Sequence, residues 1–231
     1  MRTKLHTMTS RFFRRPLSWA DYRAVVDLVP PPGVDAPEGE YNIAPGSHAP
    51  ILRRAPEGEY APRHAIQIAP AYWGLVPVWW KQPLSEKKFS SFNARAEDIE
   101  ESAVFSGAFR QGRCLVPASG FYAWSSGMPF AFALTSGASF CFAGLWSRAM
   151  IDGSEFDTFA IITTEPNLAV AGIANSMPVI LMPENYTRWL DSYDRDPHAL
   201  LKPLPSDALR AWPANPAVGN VRNQGEHLLG E

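Results

Sequence analysis

Several things are scarce in this chain of 231 residues. It has two cysteines, Cys114 and Cys141, each inside an apolar, strand-like run. Thiols so placed read as buried and reduced, which excludes a disulfide framework or a cysteine-built metal site. No run of roughly 18 apolar residues occurs, so no membrane-spanning segment is expected. Arg2 and Lys4 are not followed by an apolar stretch, so a secretory signal is not expected either and the compartment read from the chain is the cytoplasm. Nor is there a basic excess: 21 Lys and Arg against 23 Asp and Glu leave a formal net charge of −2. That excludes a generally nucleic-acid-coating surface. The positive charge is instead local, with Arg2, Lys4, Arg11, Arg14 and Arg15 within the first fifteen positions. A basic groove with weak, salt-sensitive binding follows from that clustering. Histidine is sparse (His6, His48, His64, His198, His227), and no spacing calls for a metal or another cofactor.

What is present suits a packed globular domain. Hydrophobic residues make up 46% of the chain, and 22 prolines cut it into short elements. Residues 1–7 read as an N-terminal extension without pattern, and residues 8–231 as one domain, expected to be monomeric. Ser18 followed by Asp21 forms an acidic capping box opening a helix over Trp19, Tyr22, Val25, Val26 and Val29, which the Pro30–Gly33 cluster ends. Strands are predicted at 49–54, 64–69, 113–118, 130–135, 139–146, 157–163 and 178–182. A helix is predicted over 95–109 from Ile99, Val104, Phe105 and Ala108, and another from Pro183 through Trp189 and Leu190. Thr164-Glu165-Pro166 reads as an N-cap with proline in the first turn. Many short strands with a few helices give an α+β fold with a curved or barrel-like antiparallel sheet flanked by helices.

Seven short blocks recur in a definite order. They are Met8-Thr9-Ser10-Arg11-Phe12, Tyr41-Asn42-Ile43-Ala44-Pro45-Gly46, Trp73-Gly74-Leu75-Val76-Pro77-Val78-Trp79-Trp80, Asn93-Ala94-Arg95-Ala96-Glu97, Arg113 through Trp124, Asn175 through Leu181, and Val218 through Asn223. In that order they resemble the SOS response-associated peptidase (SRAP) family, whose members capture abasic sites in single-stranded DNA. The resemblance implies a barrel-like sheet flanked by helices, single-stranded or abasic-site DNA as partner, and a reaction at an N-terminal cysteine exposed by methionine removal. In such a reaction the α-amine, with a reference pKa of about 7.7–8.0, forms a Schiff base with the abasic-site aldehyde, and the thiol closes it to a thiazolidine.

The match breaks at the chemistry. Thr9 stands where the family has that cysteine, and Ser10 where it usually has glycine. Ala123 stands where family members carry a glutamate that moves protons, work that commonly contributes about 10²–10⁴-fold. Ala174 stands where the family pattern has histidine, with Ser176 in place of an arginine. Thr9 is open to two roles: a hydroxyl residue in a binding groove, or an N-terminal amine if translation begins at Met8 or residues 1–8 are clipped. A threonine oxygen closes a less durable ring than a thiolate. The groove reading stands ahead.

What survives is suited to binding. Asn93 keeps the amide that in the family orients substrate. Arg11 and Arg95 offer guanidinium forks for phosphate, Trp79, Trp80 and Trp124 flat faces for bases, and Asn42 with Pro45 the loop lining the family's groove. The bland alternatives are that Trp73 is core, that Arg95 pairs with Glu97 or Asp98, and that Asn220 and Asn223 hold a turn. The functions weighed are DNA recognition with covalent capture weakened or lost, a lyase using the Thr9 amine, a self-processing peptidase, and a protein-interaction module without DNA.

Overall fold

The alternation of side chains along each strand decides this architecture. In the computed structural model, which describes residues 9–28, 30–31, 33–55, 65–151 and 153–230, the elements are β1 (Phe12–Arg14), α1 (Trp19–Val25), β2 (Glu40–Ile43), β3 (His48–Arg54), β4 (Ile66–Trp73), β5 (Asn93–Arg95), α2 (Ser106–Gln111), β6 (Arg113–Ala118), β7 (Gly120–Ser125), β8 (Met128–Leu134), β9 (Phe140–Ile151), β10 (Ser154–Thr164), α3 (Leu168–Ala171), β11 (Met177–Pro178), β12 (Ile180–Leu181), α4 (Tyr186–Leu190) and β13 (Leu209–Pro213). The predicted extension at 1–7, Met8, and the proposed helix and strand residues Val29 and His64 lie outside the described residues.

Pairings β10–β4, β4–β3, β3–β6, β6–β9 and β9–β10 close a ring. Side chains of these strands point alternately to two sides, as a period of two requires. Ile51, Trp73, Cys114, Val116, Phe142, Phe159 and Ile161 enter one apolar cluster inside. Leu52, Ile66, Leu115, Ala143, Leu145, Ala160 and Ile162 enter a second outside, where Tyr22 of α1, Phe109 of α2 and Trp189 of α4 cover them. Both faces are therefore buried, which is why these strands read as nearly continuous apolar runs. The ring is filled by aromatic rings: Trp73 lies 5.2 Å from Phe12 edge-on and 6.0 Å from Phe159 in a stacked arrangement. Full burial of each such side chain contributes about 1.5–3 kcal/mol.

A second sheet is ordered β13-β8-β7-β1-β2 and shares the barrel's apolar cluster. β1 and β7 split their side chains between the barrel cluster (Phe12, Phe121, Ala123) and a third cluster (Phe13, Tyr122, Trp124). Gly120 is required where β1 crosses β7, because a Cβ there would lie 2.2 Å from the Phe13 ring.

Arg113, in β6, ties the helices to the barrel by donating to the carbonyls of Trp189 at 2.7 Å, Phe109 at 2.8 Å and Asp191. Arg53 and Arg148 share the carboxylate of Asp157 at 2.8–2.9 Å, with the Arg53 guanidinium 4.5 Å over Trp146. Cys114 and Cys141 are buried free thiols, their pKa values pushed up by burial, to about 12 for Cys141. Among the described residues no helix is long and apolar enough to cross a membrane.

Several sequence expectations need correction. The capping box of Ser18 and Asp21 forms, but α1 stops at Val25. The helix predicted over 95–109 is six residues, Ser106–Gln111. Its intended start is captured as strand β5 by parallel pairing with Ile161–Thr163, and a run of turns follows. Tertiary pairing outweighs a helical pattern that begins without a cap. Thr164 ends β10, and Asn167 is the cap, its side chain accepting from Val170 N at 3.1 Å. The predicted strand at 178–182 is two short pieces on different partners, β11 on β10 and β12 on β9. The sheet is not wholly antiparallel either, since β4 and β5 both run parallel to β10.

Candidate functional site

The strand β1, which Thr9 precedes by three residues, is held on both sides. Phe12 pairs with Phe121 of β7 and with Ile43 of β2, and Tyr122 N donates to Arg11 O at 3.0 Å. That register leads residues 9–11 along β7 toward Ala123 and Trp124. On the other side, parallel pairing with β10 sets Asn93 in β5, and its Nδ2 donates to Thr9 O at 2.6 Å. Thr9 and Asn93, 84 residues apart, are thus in contact, and both are buried. Ala123 and Ala174 belong to the same apolar cluster as Phe12 and Met177. Both alanines are more than nine-tenths buried.

Polar atoms on these segments lack partners. Arg11 Nε, Ser91 Oγ, Asn93 Oδ1 and Ser176 Oγ are buried with no hydrogen bond, as are Trp80 Nε1, Arg14 Nε, Tyr22 OH, Asn42 Oδ1 and Ser147 Oγ elsewhere. Arg11 uses Nη1 on the carbonyl of Ser10 at 2.6 Å, and burial lowers its pKa below the ordinary guanidinium value without discharging it. Unpartnered buried donors and acceptors are unfavourable unless a ligand or water completes them.

The remaining sequence-predicted residues fall into two groups. Trp79, with 53% of its surface exposed, Trp80 and Phe89 form a triangle of rings with centroids 5.4–6.5 Å apart. Trp79 Nε1 donates to Ala103 O at 3.1 Å, while Trp80 packs on Val76, Ala149, Ile151 and Phe156. Arg95, the last residue of β5, is exposed, near Glu97 at 3.5 Å and Asp98 at 3.7 Å. The others are built into the frame. Asn42 is turned inward, with Nδ2 facing the carbonyls of Val218, Asn220 and Asn223 at 2.9–3.1 Å. Its backbone is bracketed by Gln224, whose Oε1 accepts from Tyr41 N and Asn42 N and whose Nε2 donates to Asn42 O. Asn42 thereby fixes the turn that carries the half-buried Pro45. Trp124 packs partly buried against the cluster of Phe13 and Tyr122. His198 contacts Ala96, one residue past β5, at 2.9 Å to the carbonyl, and stacks edge-on against Phe109.

Sequence reasoning missed Phe89, Lys87 and Gln224. Phe89 was marked only by being aromatic in a polar stretch, and Gln224 by nothing local. Two surface cavities of about 510 and 460 Å³ lie elsewhere, one at His48, Arg53, Arg148 and Asp157, the other at Arg14, Trp19 and Glu40. Thr9, Asn93 and Trp79 line neither.

Comparison with known proteins agrees with this frame. The SOS response associated peptidase family profile matches residues 8–221. Abasic site processing protein YoqW of Bacillus subtilis is 32% identical over 206 residues, covering 84% of this chain and 88% of the relative. Abasic site processing protein YedK of Escherichia coli is 27% identical over 201 residues, covering 84% and 85%. A crystal structure of a Bordetella bronchiseptica protein superposes with a TM-score of 0.71 at 26% identity, covering 89% of this chain and 99% of that one. With the family profile spanning most of its length, the chain belongs to the SOS response-associated peptidase (SRAP) family.

Proposed function

We propose that this protein binds single-stranded DNA, abasic sites included, in a DNA-damage response, and that covalent capture of the abasic aldehyde is weakened or lost. The observation that carries the reading is the Thr9–Asn93 contact, with Ala123 and Ala174 buried in the apolar cluster that Phe12 of β1 also enters. The frame that would hold a reactive terminus is intact, while the thiol, the carboxylate and the imidazole of the family pattern are absent from it. Threonine oxygen is a poor ring-closing nucleophile, and two alanine methyls transfer no protons. Arg11 and Arg95 supply phosphate contacts, and the Trp79–Trp80–Phe89 triangle supplies stacking faces.

The test is anisotropy of a labelled single-stranded oligonucleotide across a salt series, with Arg11→Ala, Arg95→Ala, Trp79→Ala and Trp80→Ala as variants. The arginine variants are expected to weaken binding and flatten its salt dependence, the tryptophan variants to weaken it at unchanged slope. Four folded variants that bind like the parent would refute the DNA reading.

A further inference from the structure

Lys87 stands between the short 3₁₀ turn Leu84–Glu86 and Phe89, and its side chain lies over the Phe89 ring. Its Nζ is 4.7 Å from the Phe89 ring centroid and donates to Phe89 O at 3.1 Å. Phe89 in turn contacts Trp79 at 6.5 Å and Trp80 at 5.4 Å. A primary amine is therefore fixed against one ring of the triangle on which neighbouring bases would stack. Its neighbour Lys88 is exposed. Nothing in the frame around Thr9 uses Lys87.

We propose that Lys87 is an imine-forming residue for an aldehyde presented on this aromatic platform, the ring-opened sugar of an abasic site being the substrate class. The inference rests on the DNA reading above, because the platform must hold the flanking bases. The step balances without a further reactant: the neutral amine adds to the aldehyde carbon, a C–N bond forms, and the two amine hydrogens leave with the carbonyl oxygen as water. The product is an imine that water reverses. Its formation needs the amine unprotonated, and burial of the side chain lowers the Lys87 pKa below the ordinary lysine value. The ring face favours the ammonium and opposes that shift in part.

The experiment incubates the full chain with a single-stranded oligonucleotide bearing one abasic site, adds borohydride, and maps the reduced adduct by tryptic mass spectrometry. Borohydride delivers hydride to the imine carbon and makes the link permanent. The expected adduct is on Lys87. Lys87→Arg is expected to cut trapped product by about tenfold or more, Lys88→Arg to leave it unchanged, and the pH profile of trapping to have its midpoint below that of an ordinary lysine. Binding to an oligonucleotide with a non-reactive tetrahydrofuran site is measured in parallel, and Lys87→Arg, which keeps the charge, is expected to hold it within about twofold. An adduct on the N-terminal residue or another lysine overturns the proposal, as does trapping that survives Lys87→Arg. A parent chain that binds the tetrahydrofuran oligonucleotide yet gives no trapped adduct overturns the lysine alone. Absence of both trapping and binding overturns the lysine together with the platform beneath it.

Discussion

Arg53 and Arg113 on the barrel wall, and Arg11 with Asn93 beside Thr9, are treated differently by the same fold. On the wall, Asp157 lies between Arg53 and Arg148, and Arg113 reaches three carbonyls. Next to Thr9, Arg11 Nε and Asn93 Oδ1 are buried without partners, as are Ser91 Oγ and Ser176 Oγ. The wall pairs stabilise because removing one member would strand a charge in the interior. Open polar atoms also occur elsewhere, at Ser147 Oγ in β9, Tyr22 OH and Arg14 Nε, but Arg11 and Asn93 are the two that border Thr9. The two regions should therefore answer mutation differently: the wall in stability, the Thr9 face in binding.

The largest effect is expected on the wall. Asp157→Ala leaves the buried Arg53 and the half-buried Arg148 without their shared carboxylate and should lower unfolding free energy by about 3–5 kcal/mol in a denaturant titration. A loss below about 1 kcal/mol would put Asp157 with ordinary surface ion pairs and erase the contrast.

Asn93→Ala comes next. It removes the 2.6 Å bond to Thr9 O, a loss of about 1–3 kcal/mol in stability, and should weaken DNA binding further than that loss of fold explains. Binding that falls only in step with stability would make Asn93 a strut like Arg113.

Trp79→Ala should reduce single-strand affinity by about 1–3 kcal/mol for each base it stacks, with an unchanged salt slope and almost unchanged melting. A large melting shift would move Trp79, half of whose surface is exposed, into the core beside Trp73.

The smallest effect is at Arg95. Its exposed pairs with Glu97 and Asp98 contribute about 0–1 kcal/mol, so Arg95→Ala should leave stability nearly untouched while reducing the magnitude of the logarithmic salt slope by about 0.7 for one lost phosphate contact. An unchanged slope would mean that the two carboxylates, and no phosphate, are its partners.

These contrasts track what was legible in the chain. Strands buried on both faces, such as 113–118 and 139–146, announced themselves by apolar runs, and Trp73 was recognisable as core. The three-residue strands β1 and β5 carry too little pattern to show, because long-range partners define them: Phe121 and Ile43 for β1, Ile161 through Thr163 for β5. The helix wrongly drawn from 95 failed for that reason. Of the site, the motif order singled out Thr9, Asn93, Ala123 and Ala174. The Thr9–Asn93 contact depends on register between β1, β7, β5 and β10, which no local signal encodes. Asn42 was legible as a motif residue but not as an inward clasp on Val218, Asn220 and Asn223, since those carbonyls lie more than 170 positions away.

The central claim is that the Thr9 face is an SRAP frame emptied of its covalent chemistry. Its most direct test is a heated denaturing gel of protein mixed with abasic single-stranded DNA, without reductant. The parent chain should give no shifted band. A chain begun at Met8 with Thr9→Cys, Ala123→Glu and Ala174→His should give one, because methionine removal frees an amine and a thiol beside Asn93 and a restored proton-transfer pair; Thr9→Cys alone should give a fainter band. A heat-stable band from the parent would contradict the claim. So would a folded triple variant that binds abasic DNA and forms none.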